Sequence, residues 1–139
     1  IDLSEAACLQ ASANAVLHRV DGRAEILRSD WFEKVEGRFD LIVCNPPYIA
    51  RSEWDSLSDE VRRHEPRLAL TDDGDGLEAY RRIAGDVVTF LAPGGRVLLE
   101  IGPTQATAVA GLLKNAGLTG VCVVPDLDGR DRVVCARRG

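Results

Sequence analysis

The 139-residue sequence contains no methionine, only two histidines and few aromatic residues, which make up 5% of the chain. A primary translation product begins with methionine, so we expect this chain to be a piece of a longer protein. No apolar run approaches the roughly 18 to 20 residues that a membrane-spanning helix needs. The first residues also lack the basic and apolar regions of a secretory signal. These absences predict a soluble, cytoplasmic protein that does not contact membranes.

The four cysteines are spaced too widely for a CxxC pair or a zinc-ligand pattern. Each lies among apolar neighbours, which favours small buried side chains over disulfides or metal ligands and agrees with a reducing compartment. The two histidines are far apart in the chain, which favours solvated or capping roles over catalysis or metal binding. We therefore expect no metal site. These residues are Cys8, Cys44, Cys122, Cys135, His18 and His64.

The chain is acidic, with 17 Lys and Arg against 22 Asp and Glu, which gives a formal net charge of −5. This charge disfavours a phosphate-rich partner such as nucleic acid, and we expect the arginines to be solvated or paired with carboxylates. Hydrophobic residues make up 45% of the sequence, enough for one domain with a packed core and too many for a disordered chain.

Helical and strand-like patterns alternate along the sequence, which predicts an α/β fold with a mostly parallel sheet. The last two strands are close enough in sequence to pair as an antiparallel hairpin. Residues 39–44 are apolar almost throughout, as in a strand buried on both faces, and Pro93, Gly94 and Gly95 predict a turn. The predicted helices are 5–19, 57–63, 77–91 and 105–115, and the predicted strands are 23–28, 39–44, 96–101, 121–124 and 132–136.

Asn45, Pro46, Pro47 and Tyr48 come directly after the 39–44 strand. Ligands of open α/β sheets bind at the carboxyl ends of strands. The prolines keep Asn45 out of helical geometry, and its side-chain oxygen and the Pro46 carbonyl would offer two acceptors for a planar NH₂ group. Tyr48 would stack on that group. Holding both hydrogens of an amide or aromatic amine helps to align its weakly nucleophilic nitrogen for methyl transfer. The alternative is a Pro-Pro turn in which Asn45 is only a turn residue.

At this point the sequence resembles class I methyltransferases that modify amino nitrogens, and more narrowly the release factor glutamine methyltransferases of the HemK/PrmC family. The resemblance covers nearly the whole chain. Besides the run from Phe39 to Ile49, it is carried by short blocks: Asp2-Leu3-Ser4, Ser29-Asp30-Trp31-Phe32, Glu65-Pro66, Ala69-Leu70, Asp75-Gly76-Leu77, Tyr80-Arg81, Pro93-Gly94-Gly95, Glu100-Ile101-Gly102, Gln105, Asp126-Leu127 and Gly129-Arg130-Asp131-Arg132-Val133.

The resemblance implies a Rossmann-like class I methyltransferase sheet, S-adenosyl-L-methionine as cofactor and peptide chain release factors as partners. It implies that Asp2 binds the ribose hydroxyls and that Asp30 and Trp31 flank the adenine. Asn45 would lie near the methyl donor, and residues 45–48 would bind the substrate glutamine, with Asn45, Pro46 and Tyr48 in the catalytic role. Glu100 would either be paired at the sheet end or shape the site.

Residues 1–139 would then form the C-terminal part of a methyltransferase catalytic domain, truncated at the N-terminus. The family's glycine-rich cofactor loop and N-terminal helical domain are absent from this chain, so we expect weak or no cofactor binding and no activity by the chain alone. Thr71, Asp72 and Asp73 stand where many relatives have glycines, which leaves the conformation of this loop open. Two other interpretations remain: an adenine-N6 methyltransferase acting on DNA or RNA, and a non-catalytic fragment or binding module.

Overall fold

The computed structural model describes all residues from Ile1 to Gly139, in two compact units, Ile1–Gly37 and Arg38–Gly139. The first unit contains helix α1 (Glu5–Leu17) and a short 3₁₀ turn (Asp21–Arg23). Ser4 caps α1 by accepting a hydrogen bond from the amide of Ala7, at 3.3 Å. The predicted helix is confirmed, and it ends two residues before Arg19, which adopts a φ of 55°.

The predicted strand at 23–28 is wrong. Its only sheet-like contact is an isolated parallel bridge between Asp2 and Arg28. Three of its six residues, Arg23, Glu25 and Arg28, are charged and exposed, and the segment has no neighbouring strand to pair with along its length. Alternating polarity alone therefore did not make a strand here.

The second unit contains a four-stranded sheet in the order β1-β2-β4-β3. β1 pairs with β2 in parallel, and β4 pairs antiparallel with both β2 and β3. Three strands therefore run in one direction and β4 alone is reversed, so the sheet is mixed, and its C-terminal hairpin is antiparallel as predicted. The strands are β1 (Phe39–Cys44), β2 (Leu91–Glu100), β3 (Thr119–Pro125) and β4 (Asp131–Arg137).

Four helices accompany the sheet: α2 (Asp59–His64), α3 (Arg67–Leu70), α4 (Glu78–Phe90) and α5 (Ala106–Asn115), with a 3₁₀ helix at Arg51–Ser56. The predicted helix at 57–63 begins later, at Asp59, because the Ser58 side chain caps it by accepting from the amide of Val61. Gly117 has a φ of 87° just beyond α5, as expected of a glycine that ends a helix.

The core lies on one face of the sheet, where α4 and α5 contact the strands and each other. In the sheet register Cys44, Leu99 and Val134 are neighbours, and Leu99 and Val134 are fully buried. Alternate positions face the other side, where Val43 lies beside Leu98. The fully buried core side chains are Tyr80, Ile83, Val87, Leu91, Val97, Leu99, Ile101, Val109, Leu113 and Val134.

The expectation that β1 is buried on both faces is wrong. Leu41 is 55% exposed and Val43 is 69% exposed, because α4 and α5 cover only one face of the sheet and β1 is an edge strand. The predicted turn at 93–95 also differs, since these residues belong to β2 at an irregularity in its pairing with β1. A Cβ on Gly95 would lie 2.8 Å from the carbonyl oxygen of Phe39, so the irregularity needs glycine there.

The cysteines are all free thiols, as expected, but they are less buried than predicted. Cys8, Cys44 and Cys135 are half-buried, and Cys122 is exposed on the edge strand β3. Burial of Cys44 raises the pKa of its thiol to about 11, so this thiol is neutral near pH 7.

Candidate functional site

The segment of Asn45, Pro46, Pro47 and Tyr48, called the 45–48 loop below, leaves the carboxyl end of β1. Cys44 at that end is the register partner of Leu99, so the end of β2 lies beside it and the two following loops leave the same edge of the sheet. Asn45 is exposed, Pro46 is buried and Tyr48 is half-buried. The buried proline fixes the backbone while the Asn45 side chain stays accessible to a ligand.

The Gln105 side chain joins the 45–48 loop to two other segments. Its Nε2 donates hydrogen bonds to the carbonyl oxygens of Tyr48, at 2.9 Å, and Gly76, at 3.1 Å. Its Oε1 accepts a hydrogen bond from the amide of Gly102, at 2.9 Å. Gln105 is only 9% exposed, so these bonds are made away from solvent. One side chain therefore connects the loops that follow β1 and β2 with the loop that precedes α4.

Two glycines let the backbones at this junction approach closely. Gly76 has a φ of 75°, and a Cβ there would lie 2.4 Å from the Tyr48 carbonyl oxygen and 2.9 Å from Gln105 Nε2. A Cβ on Gly102 would lie 3.1 Å from Gln105 Oε1 and 3.4 Å from the Tyr48 ring. A larger residue at position 76 would therefore displace the 45–48 loop.

Arg132 lies near the same end of the sheet. Its guanidinium interacts electrostatically with Tyr48. Its guanidinium contacts Asp126 at 3.3 Å and Glu100 at 3.8 Å, and it donates to the Ile101 carbonyl at 3.4 Å. The hydrogen bond with Asp126 raises the pKa of Arg132, and Tyr48 and Glu100 raise it further. Glu100 is thus paired at the sheet end, one of the two roles expected for it.

The loop before α4, whose conformation the sequence left open, is organised by Asp72. Its carboxylate accepts hydrogen bonds from the amides of Gly74, Gly76 and Glu78, at 2.8, 3.1 and 3.0 Å. The last of these amides begins α4, so the carboxylate also stabilises the positive end of that helix.

Ion pairs hold the outer part of the same region, as the sequence predicted for its arginines. Arg67 forms an ion pair with Asp73 and stacks over the Trp54 ring, 4.1 Å from its centroid. The hydrogen bond from Arg67 lowers the pKa of Asp73, and the one from Arg81 lowers the pKa of Asp75. These carboxylates therefore stay ionised near neutral pH.

The residues expected to bind the cofactor, Asp2, Asp30 and Trp31, belong to the first unit and are described within it. The bridge between Asp2 and Arg28, with the Ser29 amide donating to the Asp2 carbonyl at 3.1 Å, brings Asp2 near the segment that contains Asp30. Asp2 Oδ1 accepts from the amide of Ser4 at 2.7 Å, which orients the exposed carboxylate. A second carboxylate oxygen remains to accept from a hydroxyl.

Two further observations fit a ligand in the first unit. A cavity of about 380 Å³ is lined by Leu3, Arg28, Ser29, Asp30, Glu33 and Lys34. Trp31, half-buried, has a φ of 51°, a left-handed conformation that is rare for a bulky residue and is often found at functional sites. Of the three residues of this unit expected to bind the cofactor, Asp30 alone lines the cavity, and a carboxylate there can accept a hydrogen bond from an amine.

Gln105, Asp72 and Arg132 were not singled out as site residues from the sequence. Gln105 had a recognisable signal, because it precedes the buried positions Val109 and Leu113 of α5 at four-residue intervals and so lies on the buried face of that helix. Asp72 had none, because its role depends on the folded loop.

No group of three His, Cys, Asp or Glu residues is placed to hold a metal ion. The two histidines are exposed, at the C-terminal ends of α1 and α2.

None of the helices is both long enough and apolar enough to cross a bilayer.

Comparisons with known proteins agree on the kind of fold. The chain superposes on the crystal structure of a methyltransferase from Pyrococcus furiosus with a TM-score of 0.67, at 16% identity, covering 99% of this chain and 60% of the other. This match confirms the Rossmann-like methyltransferase fold.

The model of the methyltransferase small domain family matches residues 1–75, and the chain belongs to that family. The narrower resemblance is also confirmed. The chain is similar to the release factor glutamine methyltransferase of Cereibacter sphaeroides, with 57% identity over 136 residues, 98% of this chain and 49% of the relative. It is 44% identical over 137 residues to the protein of the same name from Agrobacterium fabrum, covering 99% of this chain and 47% of the relative. The chain thus spans about half the length of these curated relatives.

Proposed function

We propose that this chain is the substrate-binding part of a protein-(glutamine-N5) methyltransferase, which transfers a methyl group from S-adenosyl-L-methionine to the side-chain amide of a glutamine in a peptide chain release factor. The observation that carries the proposal is the 45–48 loop, held by Gln105 at the carboxyl end of β1 with the Asn45 side chain exposed. Family membership and the names of the relatives support it.

In the proposed reaction, the 45–48 loop aligns the amide nitrogen. The Asn45 side-chain oxygen and the Pro46 carbonyl accept the two amide hydrogens, and the Tyr48 ring stacks on the amide plane. Pro46 and Pro47 contribute fixed backbone geometry. Two acceptors orient the nitrogen lone pair and favour pyramidalisation as the new bond forms.

The cofactor supplies an electrophilic methyl group on a sulfonium centre. Asp2 would hold the ribose hydroxyls, Asp30 and Trp31 would flank the adenine, and Asn45 would lie beside the donor methyl group. The position of Asp30 in the lining of the cavity supports this assignment.

No strong general base is needed at the reacting nitrogen, because methylation makes the nitrogen acidic and its proton leaves afterwards. The neighbouring titratable groups agree with this. Cys44 is a neutral thiol near pH 7. Burial raises the pKa of Tyr80, and the nearby Tyr48, Cys44 and Glu100 raise it further, so Tyr80 is neutral as well. Neither group would compete as a nucleophile or base.

We place this activity in the cytoplasm, where release factors act, with those factors as the protein partners. The net charge of −5 favours a protein substrate over a nucleic acid. An adenine amine presents the same two hydrogens as an amide, so the test must offer both substrates.

The test measures methyl transfer by the protein at its full encoded length, with release factor and double-stranded DNA supplied in parallel. We expect mass spectrometry to find one added methyl group on a glutamine of the release factor, and no methyladenine in the DNA. Methylation of the DNA alone, or of neither substrate, would overturn the proposal.

A further inference from the structure

We propose that Gln105 is a positioning residue for the 45–48 loop: its buried side chain sets the orientation of the peptide unit between Tyr48 and Ile49, and with it the placement of the amide acceptors. This inference rests on the proposed function, because it concerns how the same site is held. Gln105 itself does not touch the substrate.

The hydrogen bonds of Gln105 use the whole amide group. Both Nε2 hydrogens go to main-chain carbonyls, those of Tyr48 and Gly76, and Oε1 takes the Gly102 amide. An uncharged amide of this length is the side chain that offers two donors and one acceptor at a single end. A carboxylate would place an oxygen against the two carbonyls, and an apolar side chain would leave buried main-chain groups unpaired.

The 45–48 loop needs such an external anchor. Pro46 and Pro47 have no N–H groups, so the loop cannot be fixed by its own main-chain donors at these positions. The peptide unit after Tyr48 is instead held from both sides. Its carbonyl accepts from Gln105, and its N–H, which belongs to Ile49, donates to the Leu70 carbonyl at 2.9 Å. Loss of the Gln105 bond leaves this peptide unit held only through the Ile49 N–H, which weakens the restraint on its orientation.

Gln105 also fixes the backbone against which the Tyr48 ring packs. The ring approaches Gly102, whose amide donates to Gln105 Oε1. The same side chain therefore determines both the main-chain position of Tyr48 and the surface beneath its ring. A displacement of about 1 Å at a reacting group can lower a rate by about 100-fold, so this placement is expected to affect turnover more than cofactor binding.

The experiment uses the protein at its full encoded length and compares three variants with the wild type. Gln105→Glu keeps an acceptor for Gly102 and loses the donors, while Gln105→Met keeps the length and volume and loses all three bonds. Val109→Ala is the matched control, because Val109 is fully buried one turn further along the same face of α5. It lowers stability without removing a bond to the loop.

Four quantities are measured at a temperature where each variant is folded: kcat and KM for release factor methylation, the affinity for S-adenosyl-L-methionine, and amide hydrogen exchange at Ile49. We expect kcat to fall by about 10-fold to 100-fold in both Gln105 variants. The affinity for S-adenosyl-L-methionine should change by less than about twofold, and the Ile49 amide should exchange faster than in the control. A Gln105→Glu protein that fails to fold leaves Gln105→Met to decide.

A kcat in the Gln105 variants equal to that of Val109→Ala would overturn the inference and leave Gln105 a purely structural residue. If the wild type methylates no release factor, the proposed function fails, and exchange at Ile49 then decides the positioning role. Faster exchange in the Gln105 variants than in Val109→Ala supports that role, and equal exchange overturns it.

Discussion

The hydroxyl of Tyr80 donates a hydrogen bond to the main-chain carbonyl of Glu100, at 2.7 Å. Tyr80 is in the first turn of α4 and its side chain is fully buried, while Glu100 ends β2. The bond therefore ties α4 to the strand end from which Ile101 and Gly102 lead to Gln105. Burial raises the pKa of Tyr80, so the hydroxyl remains a donor throughout the physiological range.

Replacement of Tyr80 by phenylalanine removes this donor and leaves the Glu100 carbonyl without it. Because the bond is part-buried, we expect the free energy of unfolding to fall by about 1–3 kcal/mol, with an unchanged urea m-value. Urea denaturation followed by circular dichroism measures both. A loss below about 0.5 kcal/mol would contradict this, because it would mean that the bond in the folded protein is no more favourable than the bonds the hydroxyl makes to water in the unfolded chain.

Alanine at position 76 should disturb the junction of the 45–48 loop. The left-handed φ of Gly76 alone costs a residue with a Cβ about 1–2 kcal/mol, and the added carbon would lie 2.4 Å from the Tyr48 carbonyl oxygen. We expect a loss of stability of about 2 kcal/mol or more, measured by urea denaturation.

The matched control for Gly76→Ala is Gly85→Ala, within α4. A Cβ at Gly85 meets nothing within 4 Å, so alanine there should stabilise the protein by about 0.5–1 kcal/mol through helix propensity. Equal effects of the two substitutions would refute the role assigned to Gly76.

Stability should fall on acidification, in part through Asp126. A hydrogen bond from the main-chain amide of Arg130 lowers the pKa of this carboxyl. Hydrogen bonds from the main-chain amide of Asp128 and the side chain of Arg132 lower it further. A lowered pKa in the folded state stabilises the fold above the ordinary Asp value of about 3.9, and this contribution disappears as the pH falls through the lowered value. We expect the urea midpoint to decrease below about pH 4 and Asp126→Asn to reduce the slope of that decrease. A slope unaltered by the substitution would contradict this account of the β3–β4 hairpin.

Asp2→Asn should weaken binding of S-adenosyl-L-methionine by about tenfold, since hydrogen bonds to a charged acceptor contribute about 1.5–3 kcal/mol. The asparagine oxygen can still accept from the Ser4 amide, so the local fold is kept. Calorimetric titration of the full-length protein measures the change. Asp21→Asn, in the exposed 3₁₀ turn of the same unit, serves as the control. Equal affinities for the Asp2 variant and the wild type would remove Asp2 from the proposed cofactor site.

Local sequence patterns were sufficient for most helices and strands. The helix predicted at 105–115 corresponds to α5, and Gly117 predicts its end. The exposure of Val43 was not predictable in the same way, because it depends on the position of β1 at the sheet edge and on helices that cover one face only. The extension of β2 through Pro93 likewise depends on pairing with a distant strand.

In the candidate site, too, local features were predictable and contacts between distant residues were not. Asn45, Pro46, Pro47 and Tyr48 could be proposed from the sequence, because two consecutive prolines after a strand have local geometric consequences. The partners of Gln105 could not, since Tyr48 lies 57 residues away and Gly76 lies 29 residues away. The hydrogen bonds that the Asp72 carboxylate accepts from three amides could not be predicted either, because they depend on the folded loop.

The most direct test of the central claim, that the 45–48 loop binds the substrate amide, is the rate of release factor methylation by Asn45→Ala in the full-length protein. Loss of one acceptor for the reacting amide should lower kcat by about 100-fold or more, by analogy with the removal of one polar group that stabilises a transition state. Asn115→Ala, at the exposed end of α5, should leave the rate unchanged. A rate for Asn45→Ala equal to that of the wild type would contradict the account.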